Sequence, residues 1–122
     1  MKTMKRSIAV IAISLSGCVT VEKSILLDRS AHPVPMNTVQ ALIQTDTVPE
    51  DCQRLAMLHA EGPEIWTSEA DMWDKLREET GMLGGNAVQL LFMGRPNWAE
   101  RLSSDDPDFD ASAIALWCPS LV

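Results

Sequence analysis

The sequence predicts an α+β fold: a small, mostly antiparallel four-stranded sheet with one helix packed on one face. Three features carry that expectation. One amphipathic helical pattern begins after Ser68 and stops at Gly84-Gly85. Two short apolar stretches precede it and two follow, giving the order β-β-α-β-β. Cys52 opens the second of those stretches and Cys118 closes the last, so a bridge between them asks the two strands to be near neighbours. A helix laid over one face of such a sheet is an economical way to bury both apolar surfaces.

The first strand is expected in "VQALIQ" (39–44), where Val39, Ala41 and Ile43 alternate with Gln40 and Gln44 and only Leu42 breaks the pattern. "TDTVPED" (45–51) follows as a loop with Pro49 as its breaker. "CQRLAMLHA" (52–60) is the second strand, although its Leu, Ala and Met also suit a helix, and Gly62-Pro63 ends it.

Ser68 suits a helix N-cap, and Glu69 and Asp71 in the first turn suit the positive end of the helix dipole. At 100° per residue Met72, Trp73, Leu76, Thr80 and Leu83 share one arc, with Asp71, Asp74, Lys75 and Glu78 opposite. Asp71 and Lys75 stand four apart, the spacing of a surface ion pair. Gly84, Gly85 or Asn86 can adopt the left-handed cap conformation.

"AVQLLFM" (87–93) is the third strand, with Val88, Leu90 and Phe92 on one face. "GRPNWAERLSSDDPDFD" (94–110) is a long acidic connection. "AIALWC" (113–118) is the fourth strand, with Ile114, Leu116 and Cys118 alternating against Ala113, Ala115 and Trp117. If Val88, Leu90 and Phe92 meet the helix, then Leu91, Met93 and Trp117 point to the other face, together with Met57. Such an apolar second face needs a cover. The candidates are Ile25 to Leu27, the loop carrying Trp98, or a partner, which makes Met57, Leu91, Met93 and Trp117 the candidate partner-binding residues.

The first 17 residues do not belong to this domain. Lys2, Lys5 and Arg6 form a positive n-region, Ile8 to Leu15 an apolar h-region, and Ser16 and Gly17 a small-residue cleavage region, the layout of a secretory signal peptide. The apolar run is about half the ~20 residues that a membrane-spanning helix needs. Residues 18–38, with Pro33 and Pro35 and no sustained period, read as a tether, and 39–122 as a single domain facing the periplasm. Removing residues 1–17 takes away three of the ten basic side chains and none of the 17 acidic ones, so the net charge of −7 falls to about −10. That balance argues against nucleic acid and against anionic lipid surfaces as partners.

Leu15-Ser16-Gly17-Cys18 resembles the lipobox of bacterial lipoproteins. The resemblance implies that Cys18 receives a diacylglycerol thioether, becomes the new N-terminus and is acylated on its amine. Two or more acyl chains give stable anchoring where one is marginal. The alternative is an ordinary signal peptide that leaves Cys18 free. Val19 follows where an aspartate would favour the inner membrane, which points to the outer membrane.

With Cys18 lipidated, Cys52 and Cys118 remain as an even pair in an exported protein. A structural disulfide closing so long a loop would stabilise the fold by roughly 4 kcal/mol on the chain-entropy model. Two free thiols, or a redox or metal role, are the alternatives, and the redox role lacks its Cys-x-x-Cys spacing.

A helix followed by "GMLGGNAVQLL", with Gly84-Gly85-Asn86-Ala87-Val88 and Leu90 as matching residues and a last strand ending in cysteine, resembles a family of uncharacterised bacterial envelope lipoproteins. These are related to the outer-membrane sensor of the Rcs phosphorelay. The resemblance covers Val39 to Cys118. It implies the α+β fold, the lipid anchor and a non-enzymatic role. The sensor type has more than one intradomain disulfide and a basic, proline-rich tether, neither of which this sequence can supply, so Rcs signalling is not implied.

No catalytic or metal constellation stands out, and no cofactor is expected. His32 and His59 lack metal-ligand partners at zinc-site spacing, and no Gly-x-Ser-x-Gly elbow is present. Asp106, Asp108 and Asp110 open like a calcium loop, but Ala111 and Trp117 stand where an EF-hand needs Gly and an acid. The leading expectation is a lipid-anchored outer-membrane protein that binds or senses another envelope component without chemistry. A small thiol-dependent or hydrolytic envelope enzyme, and divalent-cation capture by the acidic 105–110 loop, are the alternatives.

Overall fold

In the computed structural model, which describes residues 19–63, 67–94 and 108–122, the strands are β1 (Thr20–Ile25), β2 (Gln40–Leu42), β3 (Gln53–Pro63), β4 (Ala87–Gly94) and β5 (Asp108–Trp117). The helix α1 (Glu69–Met82) lies between β3 and β4, and 3-10 turns occur at Met36–Thr38 and Pro119–Leu121. The strands form one sheet in the order β1-β3-β5-β4-β2. All neighbours are antiparallel except β2 and β4, which run parallel. The class is α+β with one helix. The sheet, however, has five strands and is mixed, where four mostly antiparallel strands were expected.

The additional strand, β1, comes from the segment read as a tether. It pairs with β3, placing Val21 and Lys23 opposite Ala60 and Leu58 on the helix side and Thr20, Glu22 and Ser24 on the other. Its inward residues Val21, Lys23 and Ile25 are interrupted by a lysine and Ile25 is half exposed, so this edge strand leaves little period to read. The chain then continues along the end of α1: Val34 N–H donates to the Gly81 carbonyl at 2.8 Å, and the Arg29 guanidinium stacks over Trp117, 4.2 Å from the ring centroid.

Ser68 caps α1 in a capping box, its hydroxyl accepting from Asp71 N–H while the Asp71 carboxylate accepts from Ser68 N–H. Asp71 is therefore committed to the cap, and Lys75 lies 3.7 Å from both Glu78 and Glu79 instead of pairing with Asp71. Glu79, on the same helix, is buried. It accepts from Lys23 Nζ at 2.8 Å, a pair that ties the helix to the edge strand.

Met72, Leu76 and Thr80 are fully buried against the sheet. The central strands present Ala56, Ala60, Ala111, Ala113 and Ala115 to them, all buried. Small residues on the sheet let the helix approach closely, and its larger side chains fill the space between. Leu55, Val88 and Phe109 complete this core. At the helix end the backbone approaches more closely still. Gly84 has φ +86°, the left-handed conformation that favours glycine, and a Cβ at Gly81 would collide with the Val34 carbonyl.

The other side of the sheet carries a smaller cluster of Leu42, Ala87, Ile114, Leu116 and Cys118, packed against Val48, Cys52 and Leu121. Cys52 and Cys118 are joined as a disulfide across 66 residues of sequence. Beside it the buried Asn86 side chain donates to the Cys118 carbonyl at 2.8 Å and accepts from Cys118 N–H at 2.7 Å.

Candidate functional site

Beyond the disulfide cluster, the face away from the helix carries a row of side chains set by strand register. His59 on β3 lies opposite Ser112 on β5, and Ser112 lies opposite Phe92 on β4. Ser112 Oγ is 3.2 Å from His59 Nδ1, and Glu61, two residues along the same strand face, places its carboxylate 2.9 Å from His59 Nε2. A neutral imidazole donates through one nitrogen and accepts through the other. A protonated one donates through both, to the carboxylate and to the serine oxygen. Both states are thus hydrogen-bonded.

This is a serine-histidine-carboxylate string, and Ser112 joins it only through strand pairing. The signal available in sequence is the i, i+2 spacing of His59 and Glu61 on a strand, which puts both on one face. The string can hold a proton between fixed partners. Acyl transfer also requires paired N–H donors aimed at a developing oxyanion, and β5 is hydrogen-bonded to a neighbouring strand on each side.

A bulge decides which apolar residues join this face. The β4–β5 register shifts between Leu90 and Phe92, leaving Leu91 unpaired, so that Phe92 pairs with Ser112 and Met93 with Ala111. Alternation is reversed beyond that point. Phe92, expected against the helix, lies on the open face at 53% exposure. Met93, expected on the open face, packs with the helix-side core. Trp117 does the same, because it shares a face with Ala113 and Ala115. Met57 pairs with Ile114 and is exposed on the open face as expected, and Leu91 is exposed at the bulge.

Strand β2 pairs only with Ala87 to Gln89. Past it, among the described residues, the outer edge of β4 is met by the Gln44 side chain, which donates to the Leu91 carbonyl at 2.5 Å. A cleft of about 310 Å³ opens there, lined by Ile43, Gln44, Thr45, Leu90, Phe92 and Met93. Phe92 and Met93 therefore do line one cleft, beside which Gln44 bonds the Leu91 carbonyl, whereas Met57 and Trp117 lie elsewhere. Ile25, Leu26 and Leu27, offered as a cover, are themselves exposed.

Cys18, Trp98 and Asp106 lie outside the described residues. Asp110 is part of β5, and β5 already begins at Asp108, so the end of the acidic segment is strand where a loop was expected. His32 is exposed in the 26–35 segment. Among the described residues no cluster of three or more His, Cys, Asp or Glu side chains is placed to hold a metal ion, and no helix is long and apolar enough to cross a membrane.

No protein-family model matches this chain, and no curated protein matches it either. A solved structure does share its fold. The crystal structure of the Francisella virulence factor FvfA, in the orthorhombic form, is similar over 80% of this chain and 96% of that one, with a TM-score of 0.54. The identity is 8%, so the likeness is one of fold alone.

Proposed function

We propose that this chain is a lipid-anchored protein of the bacterial envelope that binds another envelope component and carries out no chemistry. The anchor is Cys18, the membrane is the outer one, and the domain faces the periplasm. The lipobox Leu15-Ser16-Gly17-Cys18 supports the anchor. The resemblance of "GMLGGNAVQLL" to envelope lipoproteins related to the Rcs sensor supports a non-enzymatic role.

The observation that carries the binding reading is the cleft at the outer edge of β4. Exposed Phe92 lines it with Ile43, Leu90 and Met93, exposed Leu91 lies between Leu90 and Phe92 on the same strand, and among the described residues β2 leaves the adjoining backbone without a partner strand. Unpaired strand edges with adjoining apolar pockets accept extended segments of other proteins, main-chain bonds giving affinity and pockets giving selectivity.

In-cell crosslinking of the full-length chain, followed by identification of the adduct, tests the reading. Ile43→Glu and Leu91→Glu are surface changes that preserve folding and should abolish the specific adduct. An adduct unchanged in both variants sinks the proposal.

A further inference from the structure

We infer that the domain has no tether and stands directly on the lipid surface that holds its anchor. The inference rests on the proposed acylation of Cys18. The bilayer meets the sheet end where β1 and β5 begin and where β3 and β4 finish, and the disulfide end points away.

The argument starts from where the packed chain begins. Val19 is already buried in the helix-side core, at 8% exposure, and Thr20 is already paired with Glu61 in the sheet. Consecutive Cα atoms are about 3.8 Å apart, so the acylated residue is a single peptide unit from a packed side chain. A flexible linker of twenty residues would let a domain range over roughly 25 Å. Here that freedom is absent.

Strand register then identifies the surface brought to the headgroups. Thr20 pairs with Glu61, Glu61 with Asp110, and Asp110 with Gly94, so these four residues form one row across the end of the sheet. β4 lies three strand spacings from β1, about 14 Å away. On that far strand the Phe92 ring leans toward the same end, because a Cβ placed on Gly94 would come within 2.6 Å of Phe92 Cζ. Phe92 is exposed and apolar. The anchor on β1 and the Phe92 ring on β4 form two footholds on opposite sides of the row. Among the described residues Glu61 and Asp110 lie between them, and neither attracts anionic lipid.

The β4 cleft is consequently held near headgroup level and opens sideways along the membrane. Its partner is a protein held at the same membrane face, not one diffusing freely through the periplasm.

The test uses the full-length chain expressed with its signal peptide in a bacterium that processes lipoproteins. A photoreactive benzoylphenylalanine replaces Phe92 in one sample and Ser120, at the disulfide end, in another. Mass spectrometry of the N-terminal peptide reports acylation in both. The expected result is an acylated Cys18, lipid adducts at position 92 exceeding those at position 120 several-fold, and loss of that excess when a ten-residue Gly/Ser spacer follows Cys18. Acylated Cys18 with equal adducts at the two positions, or with an excess that survives the spacer, overturns the seating and leaves the anchor standing. An unacylated Cys18 overturns both.

Discussion

Asn86 holds the backbone of Cys118 from both sides, its amide nitrogen donating to the carbonyl at 2.8 Å and its amide oxygen accepting from the N–H at 2.7 Å. Its own backbone is equally engaged, with its N–H donating to Leu116 and its carbonyl accepting from Gln40 N–H. One residue thus joins the turn after α1 to the ends of β5 and β2. This gives the Gly-Gly-Asn segment a physical reason: the glycines let the chain pass close to its neighbours, and the asparagine locks the last strand beside the disulfide.

Asn86→Leu should therefore destabilise the domain by about 2–3 kcal/mol, because two buried polar groups of Cys118 lose their partners. Asn86→Asp keeps the acceptor and loses the donor, so it should be destabilising as well. Denaturant unfolding of the oxidised domain measures both. A loss under 0.5 kcal/mol for the leucine variant, within the range of ordinary surface changes, would contradict the role.

Replacing both Cys52 and Cys118 by alanine should cost roughly 4 kcal/mol, since the bridge closes 66 residues of sequence. The same cost should appear when the wild type is unfolded with reductant present. Full modification of thiols without reductant in the native protein would show that the bridge is absent.

The helix was legible because its signals are local: Ser68 at the cap, the arc of Met72, Leu76 and Thr80, and the Gly-Gly stop each act within a few residues. Strand β4 was legible as far as Leu90, where alternation holds. The bulge at Leu91 is fixed by pairing with β5, so the faces of Phe92 and Met93 could not follow from their own sequence. For β1 the inward residues Val21, Lys23 and Ile25 are interrupted by Lys23, which is tied inward by Glu79, a residue 56 positions away. The start of β5 did carry a signal, with Phe109, Ala111 and Ala113 alternating with polar neighbours, but the surrounding aspartates read as loop. The His59–Ser112–Glu61 string depended on the same register, and only its His59–Glu61 half could be read along one strand.

Gly81→Ala and Gly84→Ala should loosen the 29–34 segment. The added methyl at Gly81 meets the Val34 carbonyl, and at Gly84 it meets the Arg29 carbonyl in a left-handed backbone. Overpacking of this kind costs about 1–3 kcal/mol, and the conformation at Gly84 adds about 1–2 kcal/mol. Hydrogen exchange should quicken at Val34 N–H, whose acceptor is Gly81. Unchanged exchange and stability would contradict the close approach.

The Lys23–Glu79 pair should couple β1 to α1. Lys23→Met leaves a carboxylate that is only 10% exposed with Lys75 at 3.7 Å as its nearest cation, for an expected loss of about 1–2 kcal/mol. The figure is below that for fully buried pairs because Lys23 remains partly hydrated. Adding Glu79→Leu should recover most of the loss, since an apolar pair needs no counter-charge. A double-mutant cycle measures the coupling; additive effects would mean that the two side chains do not interact.

Acid should weaken the start of α1 through Asp71. Hydrogen bonds from the Ser68 backbone, and then from its side chain, hold the Asp71 carboxyl below its ordinary value of 3.8. A depressed folded value means that the unfolded chain binds the proton more readily. The contribution is therefore complete above the unfolded value of about 3.9 and is lost as the pH falls through the lower folded value. Ser68→Ala should cost about 1 kcal/mol at neutral pH and remove part of this acid dependence. Asp71→Asn should flatten stability against pH below about 4 relative to wild type. Urea midpoints from pH 2 to 7 separate the outcomes, and an Asp71→Asn curve as steep in acid as the wild type would show that the cap carboxylate does not contribute.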